Sequence, residues 1–187
     1  MITFDGVEKV YPKGVIALKN INLHIKPGEI VSIVGQSGTG KTTLIKLLIA
    51  EEKPSAGRIV IGDWDITNIR DKEVPYLRRQ IGVVFQDFKL LPKKTIYENV
   101  AFALEVVGAS RGQIKKIVPQ ALKIVGLADK HYRYPNEISG GEQQRAVIAR
   151  SLVHKPKLLV ADEPTGNLDA INAADIIHLL KKINSFG

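Results

Sequence analysis

The residues best suited to chemistry form one stretch, Gly35-Gln36-Ser37-Gly38-Thr39-Gly40-Lys41-Thr42. Its glycines let the backbone reverse tightly and turn several N–H groups toward one centre, which makes a cradle for an anion. The start of the helix that follows adds unpaired N–H groups and a favourable dipole. Lys41 supplies a mobile positive charge for terminal phosphates, and the Thr42 hydroxyl supplies a ligand for Mg²⁺. The chemistry implied is binding of a nucleoside triphosphate.

Two further constellations extend that chemistry. Asp162 and Glu163 follow the apolar run Leu158-Leu159-Val160-Ala161. A carboxylate at a buried strand end is suited to hold Mg²⁺ through water. Successive residues there point in different directions. One carboxylate can then serve the metal while the other polarises a water for attack on the γ-phosphate. The plainer reading is an acidic turn opened by Pro164. Ser139-Gly140-Gly141 precedes a helical stretch and is a second potential phosphate site, or else an ordinary helix cap. One active site has little need of two phosphate cradles. Two copies arranged head to tail, with residues 35–42 of one and 139–141 of the other closing on the same nucleotide, would use both. Tyr11 is placed to stack on an adenine ring, or is simply a half-buried surface aromatic.

These groups need elements to hold them. The apolar run Ile30-Val31-Ser32-Ile33-Val34 predicts a strand leading into the loop, and residues 44–49 predict a helix leading out of it. Residues 1–33 read as β, with Tyr11 in a loop. Residues 58–62, 81–85 and 157–161 read as further strands; residues 63–80 read as irregular. Residues 95–127, 142–153 and 170–183 have helical spacing. Strands alternating with helices imply a mainly parallel sheet covered on both faces, with ligands beyond the C-terminal strand ends. The loop at 35–42, Gln86 and Asp162-Glu163 all fall at such ends.

A length of 187 residues suits one domain, or one domain with a subdomain. There are no cysteines, which excludes a disulfide framework and a thiolate metal site and fits a reducing compartment. The N-terminus has no basic-then-apolar signal pattern, and no apolar run approaches the roughly 20 residues of a membrane-spanning helix. The net charge of +8 is scattered, so it does not choose between a solvated surface, an anionic membrane face and nucleic acid.

Taken in order, these motifs resemble those of the ATPase subunit of ATP-binding cassette (ABC) transporters over essentially the whole chain. Residues 35–42 match the Walker A motif, with Thr43 adjoining it. Gln86 resembles the Q-loop glutamine, a contact to Mg²⁺ and the attacking water. Ile138-Ser139-Gly140-Gly141-Glu142-Gln143-Gln144-Arg145 matches the family signature, with Ile where Leu is usual. Residues 158–163 match Walker B, and Asn167-Leu168-Asp169 the D-loop. Tyr11 falls where the family has its adenine-stacking aromatic.

The resemblance implies a P-loop ATPase fold of α/β class. Its antiparallel β part would comprise about 1–34 with 58–66, its ATP-binding core about 35–57, 67–86 and 154–187, and its helical subdomain about 87–153. It also implies ATP and Mg²⁺ as cofactors, an ATP-dependent homodimer, and a polytopic membrane partner that holds the chain at the cytoplasmic face of the membrane. Catalysis would fall to Glu163, Lys41 and Gln86. The nucleotide would contact Tyr11, Gly35, Gln36, Ser37, Gly38, Thr39, Gly40, Lys41, Thr42, Thr43, Ser139, Gly140, Gly141 and Asp169. The metal would contact Thr42, Gln86 and Asp162.

The stretches Glu73-Val74-Pro75-Tyr76-Leu77-Arg78-Arg79-Gln80-Ile81-Gly82 and Phe85-Gln86-Asp87-Phe88-Lys89-Leu90-Leu91, with Thr95-Ile96-Tyr97-Glu98-Asn99-Val100, resemble the family's bacterial cell-division branch. That branch acts in control of peptidoglycan hydrolysis. Lipoprotein-release and macrolide-export branches share much of this pattern and are the alternative. Non-transport members acting on nucleic acid or the ribosome, or a nucleotide-gated scaffold, are further readings. The family continues past the last helix with a strand and a histidine that contacts the γ-phosphate; His154 and His178, in predicted helices, do not match it. The expectation is a C-terminally truncated chain that binds ATP–Mg²⁺ and hydrolyses it weakly.

Overall fold

Alternation of apolar and polar side chains over the first 25 residues produces two long strands in the computed structural model, which describes residues 1–185. They belong to the first of two units, residues 1–78; the second begins at Arg79. Strand β1, Ile2–Tyr11, pairs antiparallel with β2, Val15–Ile25, across a 3-10 turn at Pro12–Gly14. Strands β3, Ala56–Ile61, and β4, Trp64–Asp65, complete a sheet of order β2-β1-β3-β4. Ile2, Phe4, Val7, Leu18 and Ile59 are buried. A Cβ at Gly57 would lie 2.6 Å from the Val7 Cα, so β3 can enter beside β1 only as glycine.

Helix α1, Lys41–Leu48, buries Thr43, Leu44, Leu47 and Leu48. Its last turn is closed by Arg78, which ends the short helix α2, Val74–Arg78, and whose Nε donates to the Ile49 carbonyl at 2.9 Å. Both α2 and β4 lie where the sequence reads as irregular. The run at 30–34 corrects a second expectation. It forms no strand, and Ile30, Val31, Ile33 and Val34 are exposed. The sheet of its own unit is antiparallel and already ordered by β1, and these residues do not join its ladder. Hydrophobicity alone does not make a strand without a partner edge.

The second unit is built on parallel strands β5, Ile81–Val84, and β6, Leu158–Ala161, in a register that sets Val84 beside Ala161. Its helices are α3, Ile96–Val106, α4, Arg111–Ile124, α5, Gly140–Leu152, and α6, Ala170–Asn184. The first three begin in capping boxes, Thr95 with Glu98, Ser110 with Gln113 and Ser139 with Glu142, each satisfying two otherwise open backbone donors. Val84, Ile96, Val100, Val118, Leu122, Ile148 and Ile176 pack into one core with exposures of zero. His178 lies within α6, and His154 lies just past the end of α5. Of the C-terminal range expected in the ATP-binding core, residues 186 and 187 lie outside the described residues.

Candidate active site

In the first unit the loop at 35–42 folds around its own lysine. Lys41 Nζ donates to the carbonyls of Gly35 at 2.9 Å and Gln36 at 2.8 Å. Thr39 Oγ1 donates to the same Gln36 carbonyl at 2.8 Å. Gly38 and Gly40 have φ of 82° and 91°, a region open chiefly to glycine. Gly40 is the N-cap of α1, and no side chain caps that helix. The N–H groups at a helix start suit an anion, and the helix dipole favours negative charge there. Thr42 is exposed, whereas the Thr43 side chain, expected in the nucleotide set, points into the core.

Tyr11 is the last residue of β1 opposite Val15, not a loop residue; the ladder of β1 and β2 extends to the turn itself. Lys9 Nζ lies 5.0 Å from the centre of its ring, held by Glu52 Oε2 at 2.7 Å and the Lys53 carbonyl at 2.8 Å.

In the second unit the structure brings Gln86, Asp162 and Glu163 together. Both strands of the parallel pair run the same way, and Asp162 N donates to the Val84 carbonyl at 2.9 Å, continuing the ladder one residue past β6. Glu163 follows with φ 46°. Its carbonyl accepts from Gly166 N at 3.0 Å, closing a four-residue turn with Pro164 in the second position. Asn167 Nδ2 donates to the Gln86 carbonyl at 3.0 Å. A Cβ on Gly166 would lie 2.8 Å from Gln86 Nε2, so the glutamine side chain rests on this turn. Sequence reasoning missed Gly166; its signal was Pro-Thr-Gly directly after two carboxylates.

Ser139 caps α5, so the ordinary-cap reading holds at the level of local geometry. Its Oγ accepts from Glu142 N at 3.3 Å, and Glu142 Oε2 accepts from Ser139 N at 2.8 Å and Oγ at 2.9 Å. The Ser139 N–H holds the Glu142 carboxyl below its ordinary range against partial desolvation, with Lys130 contributing from 3.6 Å. Gly141 lies directly against the Asn172 side chain, and a Cβ on Gly140 would lie 3.6 Å from Leu168 Cδ2 and 3.8 Å from Phe88 Cζ. Asp169, also expected at the nucleotide, is the N-cap of α6. It accepts from Ile171 N at 3.0 Å, Asn172 N at 2.9 Å and Asn172 Nδ2 at 2.6 Å. The Asn172 N–H is the main reason its carboxyl lies below the usual range.

The segment after Gln86 is pinned by two side chains that the sequence did not reveal as important. Arg150 donates to the carbonyls of Phe88 at 3.0 Å and Lys89 at 2.7 Å, where φ is 54° and 49°. Buried Asn99 binds the Leu91 N–H and the Leu91, Lys94 and Thr95 carbonyls. Among the described residues no group of three or more His, Cys, Asp or Glu side chains could hold a metal.

The profile of the family described as ABC transporter matches residues 18–166, which include the phosphate loop, Gln86, Ser139-Gly140-Gly141 and Asp162-Glu163. The chain belongs to the ABC transporter family. All 187 residues align at 52% identity with the cell division ATP-binding protein FtsE of Bacillus subtilis (strain 168), spanning 82% of that protein. They align at 49% identity with FtsE of Escherichia coli (strain K12), spanning 84% of it. A dimeric ATP-binding cassette in a post-hydrolysis state, bound to ADP and Pi, superposes with a TM-score of 0.88 at 38% identity, over 98% of this chain and 83% of that one. A second cassette, cbiO1 from Clostridium perfringens, part of the ABC transporter complex cbiONQ, gives a TM-score of 0.91 at 34% identity, over 98% of this chain and 73% of that one. The chain thus has the ABC ATPase fold expected from its motifs, and the family's ATP-binding and ATP-hydrolysing activity goes with it.

Proposed function

We propose that the chain is an FtsE-type ATPase that dimerises on ATP and moves a polytopic, FtsX-like membrane protein in cell division, controlling peptidoglycan hydrolysis. The observation that carries this reading is a chain with two glycine-rich helix starts. One has Gly40 at its cap position, in the left-handed conformation and with no side chain of its own to fill the cradle. The other, at Ser139-Gly140-Gly141, opens α5. Two copies facing head to tail would use one of each per nucleotide. The identity to FtsE over the whole chain favours this branch over lipoprotein release, macrolide export and nucleic-acid-directed relatives.

In this reading Lys41 leaves the Gly35 and Gln36 carbonyls for the β- and γ-phosphates. Tyr11 offers a ring face to adenine. Glu163 accepts a proton from the attacking water, and Gln86 orients that water. The exposed Thr42 hydroxyl, Gln86 and Asp162 are hard oxygen donors that suit Mg²⁺ and would hold it. Bound with ATP, the ion supplies charge neutralisation at the phosphates. Residues 87–153 act as the helical subdomain. Exposed Phe102 and Val106, one turn apart on α3, give it an apolar contact for the membrane partner. We place the chain at the cytoplasmic face of the membrane, held by that partner; among the described residues no helix is long and apolar enough to cross a membrane.

The test is Glu163→Gln in saturating ATP and Mg²⁺, followed by light scattering. An ATP-bound dimer that persists is expected. A variant that stays monomeric overturns the reading.

A further inference from the structure

Gln144 lies in the middle of α5 and is 1% exposed, although most polar residues of a surface helix face water. Its Nε2 donates to the Pro164 carbonyl at 2.7 Å. Its Oε1 has no hydrogen-bond partner among the described residues. Burying an amide with one end unmet is unfavourable, and a methionine would fill similar space without that cost. What glutamine provides here and methionine does not is the bond to Pro164. The carbonyl acceptor also fixes which end of the amide faces it, since only the NH₂ can donate.

Pro164 is the second residue of the turn that begins at Glu163. Glu163 has φ 46°, a region that side-chain-bearing residues occupy only when their surroundings hold them there. The turn is held by Asp162 N on the Val84 carbonyl, by Gly166 N on the Glu163 carbonyl and by Gln144 on the Pro164 carbonyl. Only the last of these reaches the turn from α5, the helix that Ser139-Gly140-Gly141 opens.

We propose that Gln144 is a positioning residue that ties α5 to the turn after Glu163 and so fixes the direction of that carboxylate. This rests on the role given to Glu163 above. In the head-to-tail dimer proposed above, the start of α5 would meet the partner's nucleotide, and Glu163 would act on the water at its own. The tie therefore joins the two nucleotide sites through one rigid helix. Closure on one ATP would set the carboxylate at the other.

The experiment measures kcat, KM and the affinity of a fluorescent ATP analogue for the full chain and for Gln144→Met. Ser151→Ala is the control, because Ser151 is also buried in α5 but only donates to its own helix, at the Ile148 carbonyl. Gln144→Met is expected to lower kcat by about tenfold or more while KM and analogue affinity stay within about twofold, the pattern of a misplaced catalytic group. Ser151→Ala is expected to lose melting temperature and keep kcat. Gln144→Asn, which withdraws the amide by one methylene, should lose kcat likewise and serves if the methionine variant does not fold. A wild-type kcat in either Gln144 variant overturns the proposal, as does an equal kcat loss in Ser151→Ala at matched melting temperature. Glu163→Gln in the same assay separates the two levels. If it keeps full turnover, the role of Glu163 fails and the proposal fails with it. If it is inactive while Gln144→Met is not, the proposal alone fails.

Discussion

Asn99→Ala should be among the most damaging single changes outside the nucleotide site. Asn99 has no exposed surface and holds the segment that follows Gln86 against the start of α3. Its Oδ1 accepts from Leu91 N at 2.7 Å, and its Nδ2 donates to the carbonyls of Leu91 at 3.1 Å, Lys94 at 3.0 Å and Thr95 at 2.9 Å. The Thr95 carbonyl also accepts from Asn99 N at 2.9 Å, so it keeps a partner in the variant. The Leu91 carbonyl likewise keeps Lys94 N at 3.1 Å, so two groups are left over: the Leu91 N–H and the Lys94 carbonyl. Each costs about 1–3 kcal/mol if it stays buried and unpaired. Leu91 and Lys94 are exposed residues, so water can reach part of this gap and the lower end applies. The expected loss is about 2 kcal/mol, or roughly 4–8 °C in melting temperature for a chain of this size.

The lone tryptophan, Trp64, lies in β4 of the first unit, while α3 to α6 lie in the second. Circular dichroism at helical wavelengths therefore reports mainly the affected unit, which holds the four longest helices among the described residues, and tryptophan fluorescence follows the first unit. Asn99→Asp keeps the acceptor for Leu91 N but turns an ionised oxygen toward carbonyls. It should be at least as unstable at neutral pH and recover part of the loss when acid protonates it. A loss below about 1 kcal/mol in both variants would refute the reasoning, because it would mean that these bonds are replaced by solvent at no net cost.

Two other outcomes follow from the site. Glu142 has its carboxyl held below the ordinary 4.5 by the Ser139 N–H. Its contribution to the start of α5 is thus fully present above pH 4.5 and is lost as pH falls through the lower folded value. Hydrogen exchange at the first amides of α5 should rise in that acid window, and Glu142→Gln, which can still accept from Ser139 N, should abolish the rise. Gly166→Ala should displace the Gln86 side chain, since the new Cβ would meet its flexible amide end at 2.8 Å and not backbone. Turnover should fall by about tenfold with little change in melting temperature, and unaltered kcat would show that Gln86 need not rest on the turn.

Several parts of the molecule were legible because their chemistry is local. A lysine and threonine after spaced glycines, and two carboxylates after an apolar run, need only near neighbours to announce a phosphate site and a strand end. The helical stretches 95–127 and 142–153 were legible for the same reason: apolar spacing, with a cap at Ser139, is written within one or two turns. Residues 30–34 show the limit. Their apolar run has the composition of a strand, yet a strand exists only where another edge pairs with it. Tyr11 was misplaced into a loop because the end of a hairpin ladder depends on its partner, Val15.

The least legible residues act over long sequence distances. Gln144 to Pro164, Arg150 to Phe88 and Lys89, and Asn167 to Gln86 each join segments that have no pattern in common. A polar side chain in a helix reads by default as solvent-facing, and only the packed structure shows that Gln144 faces inward. The sequence by itself determined what the site is made of, because glycine, lysine and carboxylate chemistry is carried by residue type and spacing. Only the tertiary structure decided how Gln86, Glu163 and the start of α5 are held, because a hydrogen bond between remote segments depends on which buried groups meet.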